Sequence, residues 1–307
     1  MTRRQILAAV AASVPPLWAR KTIQKSQLSA ITDEIGKTAA DAIAFARQYG
    51  LQWVELRTLP ETRKEYASLS EPELKAAAVS LKNAGLKVSF LNTSMLKFGW
   101  PGTEPVRRRA ETPEARVKRL ASEQARWDRR GEDLRKAINA AHIFGVNKVR
   151  IFTGSRVAEP KPVYPRIADE LGEAALTAGK EKIHLLIENE GSCNIATSQE
   201  LADMMKLLPS RWVGINWDPQ NAVAHKEAPW PDGYRVLPIK RVLNVQVKAK
   251  GIMPSSSEKL DWKSIMQALG KDGYTGCIGL ETHIFDGTLI EAAHISIKEM
   301  LRIAGEL

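Results

Sequence analysis

The 307-residue chain is poor in soft metal ligands, with two cysteines and five histidines. Cys193 and Cys277 stand in no CxxC or zinc-like spacing, which excludes a disulfide framework and a thiolate-held metal. The few histidines exclude a histidine-rich multi-metal centre. No GxGxxG or Walker-type loop occurs, so the sequence lacks the usual phosphate cradle of doubly wound nucleotide-binding folds. There is no low-complexity tract and no apolar run long enough to cross a bilayer. Stable membrane insertion is therefore not expected.

What is present is a chain that is 44% apolar and 26% charged, enough to bury one large core. The net charge of +10 raises the question of a nucleic-acid partner. Its distribution argues against one: residues 103–136 carry eleven basic and seven acidic side chains, interspersed as on a solvated helix face.

The amino terminus differs in kind. Thr2-Arg3-Arg4-Gln5-Ile6-Leu7 precedes a short apolar stretch, residues 8–19, broken by Pro15 and Pro16. This resembles a twin-arginine export signal. Residues 1–25 are assigned to signal and linker and the protein to the periplasm or exterior; a basic start on a cytoplasmic protein is the alternative.

From Leu28 the chain repeats one unit: an amphipathic helical stretch, a glycine, then a short apolar run with a polar ending. The joints fall at Gly50, Gly85, Gly145 and Gly273, each suited to a helix carboxyl cap. Ser70 with Glu73 and Thr197 with Glu200 are spaced as capping boxes. Eight strand-like runs follow, at 28–32, 53–56, 88–91, 149–152, 185–188, 213–217, 243–247 and 278–281. Eight alternating units predict a single-domain α/β (β/α)8 TIM barrel over residues 26–307. One connection, between Asn92 and Asn147, is long; it reads equally as a cover over the active site or as a helical extension without that role.

In such a barrel the carboxyl ends of the strands form the functional mouth. Strand five ends in Glu188-Asn189-Glu190, strand six in Asp218, strand seven in Gln246-Val247-Lys248 and strand eight in Glu281-Thr282-His283. Apolar runs that end in carboxylates are costly unless the charges are paired or hold a metal. Alternation lets Glu188, Asp218, Gln246 and Glu281 point inward, with Asn216 and Asn244 a layer below. A bound cation is one solution; a polar plug using Lys248 and Arg57 as counter-charges is the other.

Glu-Asn-x-Gly at strand five, Asp-Pro-x-Asn after strand six, Val-x-Val-Lys on strand seven and Leu-Glu-Thr on strand eight resemble the sugar phosphate isomerase/epimerase branch of the xylose isomerase-like barrels. The likeness extends over nearly all of 28–307 and includes Val54-Glu55-Leu56. It implies metal ligands at Glu188, Asp218, Gln246 and Glu281, with Glu188 and Glu281 also the catalytic acid/base pair. The implied chemistry is α-proton abstraction through a metal-stabilised enediolate. The pattern departs at Gln246, where the family usually has His, and at Ala249, where it usually has Asp. An all-oxygen set favours Mg²⁺ or Mn²⁺ over Zn²⁺.

Substrate-binding candidates are Glu55, Asn221, His225, Lys248 and His283, whereas His142, His184 and His294 read as scaffold. The sequence thus predicts a metal-dependent isomerase or epimerase of a sugar or keto-sugar. A 3-keto-glycoside eliminase using the same site and a non-catalytic sugar-binding barrel are the alternatives. Neither a nucleic-acid partner nor a particular oligomeric state is implied; a homo-oligomer stays open.

Overall fold

The computed structural model describes residues 22–107 and 109–307; the twin-arginine motif lies outside them. Eight strands, β1 (Leu28–Ala30), β2 (Trp53–Leu56), β3 (Lys87–Leu91), β4 (Lys148–Ile151), β5 (His184–Glu188), β6 (Val213–Trp217), β7 (Val242–Lys248) and β8 (Cys277–Glu281), form one parallel sheet. Its order is β1-β8-β7-β6-β5-β4-β3-β2, and a bridge from Ile31 to Glu55 joins the two ends. The molecule is a single-domain TIM barrel.

The outer layer contains α1 (Ala39–Gln48), α2 (Glu71–Asn83), α3 (Pro113–Asp128), α4 (Arg130–Phe144), α5 (Tyr164–Lys180), α6 (Ser198–Leu207), the short α7 (Pro219–Val223), α8 (Tyr234–Val236) and α9 (Ala249–Ile252), then α10 (Trp262–Lys271) and α11 (Leu289–Gly305). Helical periodicity creates their inner faces: α10 buries Trp262, Ile265, Met266 and Leu269, and α11 buries Ala293, Ile297, Met300 and Ala304. The strands are covered outside by these stripes, which is why runs such as Leu185-Leu186-Ile187 are apolar throughout. The joint glycines take φ of 65° at Gly50, 76° at Gly85, 67° at Gly145 and 77° at Gly273. Both expected capping boxes form.

β1 stops at Ala30, two residues before the sequence-predicted end, because Thr32–Glu34 winds into a 3-10 turn. That turn carries Asp33 and Glu34 to Arg57, just beyond β2. The long connection has two parts. Its first part is tied to the segment after β4 by Phe152 N to Met95 O (3.0 Å), Gly154 N to Leu96 O (3.1 Å) and Ser155 N to Phe98 O (2.9 Å). Its helix α3 buries no side chain.

Cys193 and Cys277 are both free and buried. No helix among the described residues is long and apolar enough to cross a membrane.

Candidate active site at the carboxyl ends of the strands

Barrel interiors are usually filled with branched apolar side chains. Here Ser29, Glu55, Asn216, Asn244 and Gln246 are all fully buried within it. Glu55 accepts from Ser29 Oγ (3.0 Å) and Asn244 Nδ2 (3.2 Å) on Oε1, and from Asn92 Nδ2 (3.0 Å) and Gln246 Nε2 (2.6 Å) on Oε2. Burial pushes its carboxyl up from the ordinary value, and these four bonds oppose the shift.

At the strand ends, one carboxylate oxygen each from Glu188, Asp218 and Glu281 lies within 4.8 Å of the other two. Each side chain is anchored through one of its oxygens. Glu188 Oε2 accepts from Arg150 (3.0 Å) and Asn216 (2.7 Å). Asp218 caps α7, its Oδ1 accepting from Asn221 N (3.1 Å), and its backbone is clamped by Asn189. Glu281 Oε1 accepts from Arg57 Nη1 (3.1 Å). Asp218 Oδ2, Glu281 Oε2 and Gln246 Oε1 are buried without a hydrogen-bond partner among the described residues. Unsatisfied buried oxygens are costly, and three belonging to expected ligands fit a site that takes up a cation.

Lys248 enters the same space. Its Nζ lies 3.1 Å from Asp218 Oδ2 and 3.9 Å from Glu281 Oε2, but donates its short bond to Asn221 Oδ1 at 2.5 Å. Both counter-charges named from sequence, Lys248 and Arg57, are therefore at the mouth, joined by Arg150. Six carboxylates there (Asp33, Glu34, Glu188, Glu190, Asp218, Glu281) are met by Arg57, Lys97, Arg150 and Lys248, with Arg63 at the exposed edge. Carboxyl groups outnumber the cations here, and Glu188, Asp218 and Glu281 could hold a divalent metal.

The environments separate the carboxyls. Burial raises Glu188, with Glu281 and Glu190 adding to the shift and Arg150 opposing it. Burial also raises Asp218, to about 7, against the pull of Lys248. Glu281 is equally buried, yet Lys248, Arg57 and Arg150 outweigh the desolvation and hold it at about 2. For Lys248, burial disfavours the charge, but Asp218 and Glu281 overcome it and raise the ammonium.

The structure thus brings Glu188, Asp218, Glu281, Lys248 and Asn221 together, with Gln246 bonded to Glu55. Glu55 is apart from the mouth: it is enclosed and bonded to four protein donors, which leaves it no face toward a substrate. His225 Nε2 lies 2.9 Å from Gly191 O. His283 adopts φ of 53°, and its backbone N–H donates to Glu34 Oε2 at 2.8 Å. It lines a cavity of about 650 Å³ with Asn221, Lys248, Lys250, Glu258 and the exposed Phe285. A larger cavity, about 890 Å³, lies on the flank between α4, α5 and the residues after β3 and contains none of the three clustered carboxylates.

Sequence reasoning missed Arg150, Asp33 and Glu34. Arg150 left a signal, a cation inside the apolar run Val149-Arg150-Ile151-Phe152 at the parity that faces the barrel.

Known structures share this architecture. A xylose isomerase-like TIM barrel protein from Mycobacterium smegmatis in complex with magnesium superposes with a TM-score of 0.65 at 16% identity, covering 92% of this chain and 99% of that one. The 3-keto-D-glucoside 4-epimerase of E. coli gives 0.62 at 13% identity, covering 91% and 99%. D-allulose 3-epimerase from Methylomonas sp., in complex with D-allulose, gives 0.60 at 16% identity, covering 93% and 96%. No curated protein matches significantly by sequence. The sequence model of one family spans residues 43–302, and the chain belongs to that family, the xylose isomerase-like TIM barrels.

Proposed function

We propose that this protein is a metal-dependent isomerase or epimerase of a sugar or keto-sugar, with Glu188 and Glu281 as its proton-transferring pair. The observation that carries this reading is the anchored carboxylate trio: each side chain is fixed by a hydrogen bond, and one oxygen from each lies within 4.8 Å of the other two. Glu188, Asp218, Glu281 and the amide oxygen of Gln246 would hold the ion, and an all-oxygen set favours Mg²⁺ or Mn²⁺ over Zn²⁺. Such a cation supplies Lewis-acid polarisation of a substrate carbonyl.

The remaining work falls to the chain. Glu188, raised by burial, suits holding and returning a proton, and Glu281, kept ionised by Lys248, Arg57 and Arg150, is the partner without one at neutral pH. Removal at the carbon beside the carbonyl by one and return by the other inverts or transposes that centre. Lys248 and Asn221 are placed to orient substrate oxygens, and His283 borders the cavity through which substrate enters. Lys97 pairs with Glu190 (2.8 Å), and Arg57, Arg150 and Lys248 are likewise paired. With these cations committed, the site favours an unphosphorylated sugar or glycoside. Its relatives in structure include epimerases of a keto-glucoside and of D-allulose, which supports this substrate class.

The test is exchange. With Mn²⁺ in D₂O, deuterium should appear beside the carbonyl of at least one member of a keto-sugar panel that includes 3-keto-glycosides. Absence of exchange throughout would sink the enzymatic reading. Loss of an aglycone from a 3-keto-glycoside would assign an eliminase acting through the same first step. Lys248 beside Asp218 favours one further reading, a non-catalytic sugar binder; sugar affinity that survives removal of metal, without turnover, would select it. We also propose export directed by Arg3-Arg4; recovery of the uncleaved chain in the cytosol of its native host would oppose that.

A further inference from the structure

Gln246 is fixed from below by a carboxyl that accepts every bond it makes. Four donors converge on the two oxygens of Glu55, two on each. Asn92, Asn244 and Gln246 each turn nitrogen toward Glu55 and oxygen away. The oxygens record it: Asn92 Oδ1, Asn244 Oδ1 and Gln246 Oε1 are all buried without a hydrogen-bond partner. The Gln246 bond is the shortest of the four, at 2.6 Å.

The strand beside it makes room for this arrangement. Gly279 pairs in register with Gln246, and a Cβ there would meet Glu55 Oε1 at 2.0 Å. Only an absent side chain allows Glu55 to occupy that space.

The orientation matters because an amide has two unlike ends. A reversed Gln246 amide would bring its NH₂ to where Oε1 now lies buried without a hydrogen-bond partner. That would place donors where a cation needs oxygen. We infer that Glu55 is a positioning residue that locks the Gln246 amide with Oε1 toward the carboxylate trio and so completes an oxygen donor set for a divalent cation. The inference rests on the metal reading above and adds a role for a residue that touches neither substrate nor ion.

A double-variant cycle on Mn²⁺ binding to the full chain, read by calorimetry and by electron paramagnetic resonance, tests it. Glu55→Gln keeps shape but can present either end of an amide to Gln246. It should weaken Mn²⁺ about 10- to 100-fold, as loss of an outer partner of a metal ligand does. Gln246→Met should weaken binding comparably, and the double variant no further than Gln246→Met alone, because the two act through one bond. A purely structural Glu55 would lower the melting temperature yet leave the Mn²⁺ dissociation constant within about twofold, or give multiplicative effects; either result overturns the inference while the metal reading survives. A wild-type protein that binds no Mn²⁺ overturns both. Should Glu55→Gln fail to fold, the wild-type crystal structure with Mn²⁺ decides: Gln246 Oε1 on the ion with Nε2 on Glu55 supports the role, and Gln246 away from the ion refutes it.

Discussion

Lys248 Nζ lies 3.1 Å from Asp218 Oδ2, and both side chains are almost fully buried. An ammonium inside a carboxylate trio is the standing counter-charge of the metal-free site. Lys248→Met should destabilise the metal-free protein by about 3–5 kcal/mol, because the remaining charges lose their compensation. Saturating Mn²⁺ should recover much of that loss. Thermal unfolding with and without the ion measures both; a variant as stable as wild type without metal would contradict the pairing.

Asp218 gives the site a pH dependence. Its folded value of about 7 lies above its ordinary 3.8, so the folded state binds this proton more tightly than the unfolded chain does. In the metal-free protein its contribution to stability therefore grows as pH falls from about 7 toward 4, and is lost as pH rises through that window. A metal must displace the same proton, so Mn²⁺ affinity should fall by up to about tenfold per unit below pH 7. Glu281, held at about 2, works the other way: its contribution is complete above about 4.5 and disappears as pH falls toward 2. Calorimetric titrations at pH 6, 7 and 8 would show the predicted slope or its absence.

Arg150 and Glu188 are both buried and 3.0 Å apart. Arg150→Met should cost about 3–5 kcal/mol in urea denaturation by stranding Glu188. Adding Glu188→Gln should return much of it, since the pair is then replaced by neutral groups.

Glu188→Gln and Glu281→Gln, tested separately, should each lower substrate deuterium exchange by about 10²- to 10⁴-fold, the range for loss of one general acid or base. Exchange that persists in both would remove the proton-transfer roles.

Gly279→Ala should cost about 1–3 kcal/mol, as overpacking in a filled interior does. Its added methyl competes directly with Glu55 Oε1. Mn²⁺ affinity should fall together with stability.

The barrel was legible because periodicity writes it locally. Gly50, Gly85, Gly145 and Gly273 mark helix ends through a conformation glycine adopts freely, and the runs between them alternate in one repeated order. The carboxylates of β5, β6 and β8 were legible because charge at the end of an apolar run demands a partner. Glu55 was not, because Val54-Glu55-Leu56 gives its residue type without the depth at which its strand crosses the barrel. Asp33 and Glu34 escaped because one 3-10 turn redirects what the run 28–32 extends as strand. Arg150 needed its distant partner on β5 to declare its meaning, and pairing between strands is not written in either one alone.

The cylinder closes at a thin joint: β1 is three residues long, and one bridge, Ile31 to Glu55, connects it to β2. Arg57 stands beside that joint and grips Asp33, Glu34 and Glu281 at once. One guanidinium therefore links the seam of the wall to the reaction centre, so a disturbance at the first two strands reaches Glu281 directly.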